Sequence, residues 1–251
     1  MLYQEKVKLN EKDHSYYDEN GLRYMGFSSF YNEFLHRKFD AEFMAGRVAS
    51  ASEGEKSKQD VLDEWQKAND MGCYYDKAIE ECVDPIFYPK YCDIEETVRS
   101  ILSEYEPYKG AHCQQKVVYN EYYRIAGSPD KFCLTSNRKD SSFIMSDFKV
   151  FEKDDLYVGR GWLNEPFNHL PASKFIKIAF QLSYYAFQLE HLLEGKKPKE
   201  LFIHLISHNS KTHRKIHVPY LRNDIQLALE LNKDKIIDLL NVKQQQEESL
   251  F

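Results

Sequence analysis

Two short runs in the middle of the chain carry residue types suited to metal-assisted hydrolysis of a phosphodiester. Gly127-Ser128-Pro129-Asp130 sets an acid after a turn, and Ser146-Asp147-Phe148-Lys149 sets an acid, one spacer and a lysine on a later candidate strand. The two acids are 17 positions apart, about the length of one hairpin. Side chains two apart on a strand point to one face, so Asp147 and Lys149 face the same way. Two carboxylates and an ammonium at one sheet edge can hold a hard divalent cation beside a phosphodiester. Metal-dependent nucleic-acid cleavage is the first expectation.

Helices supply further candidates. Asp76 and Glu80 are one turn apart and share a helix face. Gln181 and Tyr185 are also i, i+4, with Lys174 and Lys177 on or near the same stripe. Phe175, Ile178, Leu182 and Leu189 lie opposite, so this helix has a polar working face.

The elements that must position these residues can be read in order. Residues 14–25 predict a hairpin around Asp18-Glu19-Asn20-Gly21, where Asn-Gly supplies positive φ. Ser28 or Ser29 can cap a short helix over 30–36. Residues 51–57 are polar and read as a surface loop. Val61, Leu62, Trp65 and Ala68 fall at helical spacing. Gly72 should interrupt that helix, which resumes through Asp76, Ile79, Glu80 and Val83 and stops before Pro85. Ile94, Val98, Ile101, Leu102 and Tyr105 mark another helix. Strands are expected at 116–119, 122–125, 131–134 and 143–145. Residues 151–170 read as a loop and 172–193 as a long helix. A buried strand at 201–206, an edge strand at 215–218 and a C-terminal helix from Leu221 to Leu240 follow, with a fraying tail at 244–248. Helix, three strands, helix, strand is the order of a mixed α/β sheet with helices on its faces.

The chain has 251 residues. That suits a single domain, with a core over about 58–220, an N-terminal hairpin and helix over 1–50 and a C-terminal helix and tail over 221–251. The net charge of −6 does not favour a nucleic-acid binder, but a local basic patch suffices for phosphate contacts. Some of the 18 Tyr and 16 Phe can stack on bases, though most should be core. No apolar run approaches the ~20 residues of a membrane span, and the N-terminus lacks a signal-peptide pattern, so the expected location is the cytoplasm. Cys73, Cys82, Cys92, Cys113 and Cys133 form no C-x-x-C pair and read as reduced, mostly buried thiols. His204, His208, His213 and His217 lack a zinc spacing and read as surface residues beside the basic loop of Lys211, Arg214 and Lys215.

Taken in order, Pro129-Asp130, Asp147-Phe148-Lys149 and Gln181-Leu182-Ser183-Tyr184-Tyr185 resemble the PD-(D/E)XK nuclease superfamily, in its RecB-like and phage-exonuclease branch. Weaker echoes include residues 24–39, Trp65 with Gly72 and Ile79-Glu80, and His169-Leu170-Pro171. The resemblance spans about residues 14–220. It implies a restriction-endonuclease-like core of α-β-β-β-α-β order with N-terminal additions. It also implies Mg²⁺ or Mn²⁺ held by Asp130, Asp147, the Phe148 carbonyl and Glu80. Lys149 would orient the attacking water or stabilise charge, with a pKa depressed if partly buried. Gln181 and Tyr185 would position the water, Lys149 or the DNA backbone. The implied substrate is DNA, at linear ends or in single strands, in phage-type recombination, repair or replication. A structure-specific endonuclease and a non-catalytic DNA-binding protein of the same fold are the alternatives. Many members of the branch place a histidine where this chain has Asp76, a harder ligand that shifts preference toward Mg²⁺. No cysteine follows Cys133, so no iron–sulfur cluster is expected. The end Glu247-Glu248-Ser249-Leu250-Phe251 resembles the short peptides that bind bacterial sliding clamps, although packing of Leu250 and Phe251 onto the last helix is the plainer expectation.

Overall fold

The computed structural model describes residues 2–36, 40–52, 54–81, 89–138, 141–151 and 156–248, without the side chains of Pro89, Arg160 and 246–248. The chain opens with an antiparallel meander of β1 (Val7–Asn10), β2 (Ser15–Asp18) and β3 (Arg23–Tyr24). Its second turn is the expected one. Asp18 Oδ1 accepts the Asn20 and Leu22 amides at 2.9 Å each, and Gly21 takes φ +77°.

A short α1 (Phe27–Phe30) runs into a π-helical turn, Tyr31–Leu35. The helix starts three residues before the expected position, so Ser28 and Ser29 lie inside it and Gly26 is the N-cap. The unforeseen α2 (Ala41–Ala51) is capped by Asp40, whose carboxylate accepts the Phe43 amide at 2.9 Å. The expected 51–57 loop therefore begins one residue later. Next, α3 (Lys58–Glu81) runs unbroken through Gly72, since one glycine costs an exposed helix only about 1 kcal/mol. Residues 63–70 are all exposed, so Trp65 and Ala68 belong to no buried stripe. Burial resumes at Tyr75, Ala78 and Ile79. Cys82, Val83 and Pro85 lie outside the described residues. A 3₁₀ turn (Pro89–Tyr91) precedes α4 (Glu95–Ser103).

The strand region then begins with β4 (His112–Gln114). A separate hairpin of β5 (Val118–Asn120) and β6 (Ile125–Gly127) follows. Residues 122–124, expected as strand, form its turn: Asn120 Oδ1 accepts the Tyr123 amide at 3.2 Å, and Arg124 takes φ 53°. β7 (Lys131–Leu134) and β8 (Phe143–Val150) come next. Within the supposed loop, β9 (Gly159–Trp162) pairs with β10 (Pro171–Ser173). Ser173 caps α5 (Lys174–Leu192) by accepting the Ile176 amide at 3.2 Å. β11 (Pro198–Ser207), β12 (Thr212–Val218) and α6 (Arg222–Glu248) complete the chain. The helix α6 extends through the stretch expected to fray, while Leu250 and Phe251 lie outside the described residues.

The main sheet has the order β12-β11-β8-β7-β4. β8 and β11 are parallel, joined by a crossover through α5, and the other pairs are antiparallel. This is the expected mixed α/β architecture. Alternation along the strands splits the core in two. Phe132, Phe143, Met145 and Ile203 pack with Ile178, Leu182 and Leu189 of α5. Cys133, Ile144, Phe148 and Phe202 pack with Tyr75 and Ile79 of α3 and with Val98 and Ile101 of α4. Cys113 and Cys133 are half-buried and buried, but Cys73 and Cys92 are exposed, contrary to the reading of mostly buried thiols. Among the described residues no helix is long and apolar enough to cross a membrane.

Candidate active site

The register of one strand pair creates the site. Lys131 on β7 lies opposite Ser146 on β8, so one step outward sets Asp130 opposite Asp147. The Asp130 carboxylate is then anchored by the main chain: its Oδ2 accepts the Phe148 amide at 2.7 Å. Asp147 is only 1% exposed and forms an ion pair with Lys149 Nζ. Neither of its carboxylate oxygens meets hydrogen-bond geometry with a described group. A buried carboxylate is costly unless paired, and Lys149 supplies a pairing charge.

The last turns of α3 bring Asp76 and Glu80 to the same place. Asp76, Ile79, Glu80, Gln114, Gln115, Asp130 and Phe148 line one small cleft. Asp76 is half-buried there and Glu80 is exposed at the rim. Gln114 Nε2 donates to the Ile79 carbonyl at 3.0 Å, fastening β4 to the end of α3. Gln115 holds φ 44°, and its amide donates to the Asp130 carbonyl at 3.1 Å. Ser128 Oγ closes the arrangement by donating to the Gln115 carbonyl at 2.7 Å. Sequence reading passed over both glutamines, because β4 is three residues long and has no alternation to reveal it.

The cluster carries more negative charge than it can settle internally. Burial, then the neighbouring Asp147, pushes the Asp130 carboxyl well above the usual carboxylate range. Burial raises Asp76 to about 6; Lys149 pulls it down, while Asp147 and Glu80 push it up. Lys149 goes the other way from the expected depression. Burial alone would lower it, but Asp147, Asp130 and Asp76 together hold its ammonium above the ordinary lysine value.

From the other side, α5 presents Gln181 and Tyr185. Gln181 Nε2 donates to Tyr185 Oη at 3.2 Å. The Tyr185 ring packs closely against the backbone just before Asp130: a Cβ on Gly127 would sit 2.1 Å from Tyr185 Cε1. The glycine is required by that approach, since its φ is ordinary. Tyr185 is buried, and its phenol is close enough to Asp147 and Asp130 for both to contribute to its raised pKa after burial. Lys177 lies on the same helix, exposed along its stem but with its ammonium 5.6 Å from the Tyr31 ring centroid; partial desolvation of that end and then Lys149 lower its pKa. Lys174 instead covers the Phe151 ring at 4.8 Å.

The histidines expected at the surface are not all there. His204 is fully buried and His213 is half-buried, so neither is a loose surface group; His208 is half-buried, and only His217 is exposed. Ligand atoms of His204, His213 and Glu104 lie within 4.8 Å of one another on the α4 side of the sheet. No sequence spacing announces this cluster, because Glu104 is 100 residues before His204.

No family model matches the chain, and no curated protein matches it. Among solved structures it is similar to a presumed exonuclease from Eubacterium rectale, at 19% identity and TM-score 0.46, covering 87% of this chain and 81% of that one. It is also similar to SSO0001, at 10% identity and TM-score 0.36, covering 84% of this chain and 75% of the other. Overlaps this loose carry no argument about activity.

Proposed function

We propose that the chain is a metal-dependent DNA nuclease of the PD-(D/E)XK type, acting as an exonuclease on linear ends or single strands in phage-type recombination, repair or replication. One observation carries the reading: the buried Asp147 carboxylate faces Asp130 across the strand pair and has Lys149, on its own strand face, as its ion-pair partner. The donor set fits a hard divalent cation, since it is made of carboxylate oxygens, two of which are raised by burial first and by their neighbouring carboxylates after it. Asp130, Asp147 and the Phe148 carbonyl would hold Mg²⁺ or Mn²⁺, with Asp76 and Glu80 at the cleft contributing directly or through water. When bound, the ion supplies Lewis-acid polarisation of the scissile phosphate and a more acidic water.

The protein's own groups do the rest. Lys149, ion-paired with Asp147, would serve as a cationic donor that orients the attacking water or neutralises charge on phosphate oxygens. The Phe148 amide fixes Asp130 in one rotamer. Tyr185, steadied by Gln181, supports the Gly127 turn from beneath.

The test is degradation of linear and closed circular DNA with Mg²⁺, Mn²⁺ or EDTA. Linear DNA should be degraded with either metal and spared in EDTA, and folded Asp130→Ala and Asp147→Ala should each be inactive. Cleavage of the closed circle would favour the endonuclease alternative. Undiminished cleavage by Asp147→Ala would overturn the site.

A further inference from the structure

We propose that Glu104, His204 and His213 form a second metal site, a zinc site of three protein ligands on the α4 side of the sheet, separate in donor chemistry from the acid cluster. Antiparallel register puts His204 opposite Lys215 and Ile206 opposite His213, so the two histidines are diagonal neighbours on one face of β11 and β12. Glu104 arrives from the residue that ends α4.

The distances suit one small ion. His204 Nδ1 and His213 Nδ1 are 3.2 Å apart. Bonds of ~2.0 Å to one tetrahedral zinc would hold two nitrogens roughly 3.3 Å apart. Glu104 Oε1 lies 3.8 Å from His213 Nδ1. The other carboxylate oxygen, Oε2, faces Lys215 Nζ at 3.9 Å, but Lys215 has a nearer anion in Glu200 at 3.2 Å. Glu104 Oε1 is therefore open to a cation. Because Glu104 is only partly buried, water can complete four-coordination.

The outer nitrogens are already engaged, as ligand histidines require. His204 Nε2 meets Tyr105 Oη at 3.0 Å, and that hydroxyl meets Ser146 Oγ at 2.5 Å. His213 Nε2 meets Ser100 Oγ at 3.1 Å. Each ring is thereby turned with Nδ1 toward the shared point. His204 is further clamped against the Phe148 ring, with centroids 5.5 Å apart and planes 25° from parallel. Two imidazoles and a carboxylate select a borderline ion such as zinc, whereas the all-oxygen cluster selects magnesium or manganese. The physical result would be a tie between α4, a helix of nine residues with little stability of its own, and the β11–β12 edge of the sheet.

The experiment uses the full chain carrying Asp130→Ala and Asp147→Ala, so that the acid cluster cannot report. Metal-free protein is titrated with Co²⁺ as a visible stand-in for zinc, then with Zn²⁺. The expected result is one equivalent of Co²⁺ with the intense visible absorption of four-coordinate cobalt, bleached by one equivalent of Zn²⁺. Zinc in large excess over its dissociation constant should raise the melting temperature by about 5 °C or more. His213→Ala and Glu104→Gln, both made at the rim where folding is least at risk, should each abolish the absorption and the shift. A hydrogen bond between the two Nδ1 atoms, with no ion, is the competing state. Absent cobalt absorption, an unmoved melting temperature, or binding unaltered in both rim variants would each overturn the proposal.

Discussion

Residues 147 and 148 are adjacent in the chain, yet they serve two sides of the sheet with opposite electrostatic characters. Asp147 sits among Asp130, Asp76 and Lys149, where buried carboxylates repel one another around its ion pair with the lysine. Phe148 packs across the strand against His204, whose two nitrogens both have partners and whose pKa falls to about 3, through burial first and then His213, Lys215 and Lys131. One side gathers carboxylates around a single ion pair; on the other, the buried imidazole is neutral and hydrogen-bonded at both nitrogens. A two-residue period separates them with a displacement of one residue. Buried like charges are costly and are relieved by a bound cation or by protons, whereas a satisfied network holds elements together.

The sharpest way to break this contrast is Lys149→Met. Turnover on linear DNA should fall by about 10²-fold or more, while binding of Mn²⁺ measured by calorimetry is retained. Turnover within about twofold of wild type would make Lys149 only the counter-ion of Asp147. The next largest effect is expected at Gly127→Ala. The new methyl group overlaps Tyr185, so unfolding in urea should show a loss of roughly 1–3 kcal/mol together with reduced turnover. Adding Tyr185→Ala should recover part of the stability; purely additive losses would show that the ring is not the obstacle.

The satisfied side should answer differently. Tyr105→Phe removes the hydroxyl shared by Ser146 and His204 and should cost about 1–3 kcal/mol, with DNA cleavage unchanged at permissive temperature. A matching loss of turnover would mean that the two sides do not act separately.

The smallest effect concerns pH in metal-free protein. Asp76 holds its proton up to about 6 when folded, against an ordinary 3.8. The folded state binds that proton more tightly than the unfolded chain, so the associated stability is full below 3.8 and lost as pH rises through about 6. Asp130 shifts in the same direction. The melting temperature without metal should therefore fall over this window, Asp76→Asn should flatten the slope, and Mg²⁺ should restore stability at pH 7. A melting temperature that rises across the window would contradict the repulsive cluster.

What sequence made legible followed from periodicity. Asp147-x-Lys149 on one face, a hairpin from Asp130, and a crossover helix that makes β8 and β11 parallel all depend on local spacing and chain connection. Short elements escaped for the same reason: β4, β9 and β10 have three or four residues each, too few to display a period. Trp65 and Ala68 mimicked an apolar stripe on a stretch of α3 that is exposed throughout. Gly127 was noticed as a turn residue, but its reason lies 58 residues away in Tyr185. Glu104, His204 and His213 meet only after the sheet is assembled, so their proximity belongs to tertiary structure alone.

The double engagement of Phe148 has a practical corollary. Its hold on Asp130 is exerted by an amide hydrogen, which every amino acid except proline provides, while its contact with His204 belongs to the aromatic ring. The two duties are therefore separable by synthesis. An ester in place of the peptide bond before residue 148 deletes the first and spares the second; leucine at 148 does the reverse. The tolerance of this spacer position toward other side chains is set by the far side of the sheet, and not by the acids that flank it in the chain.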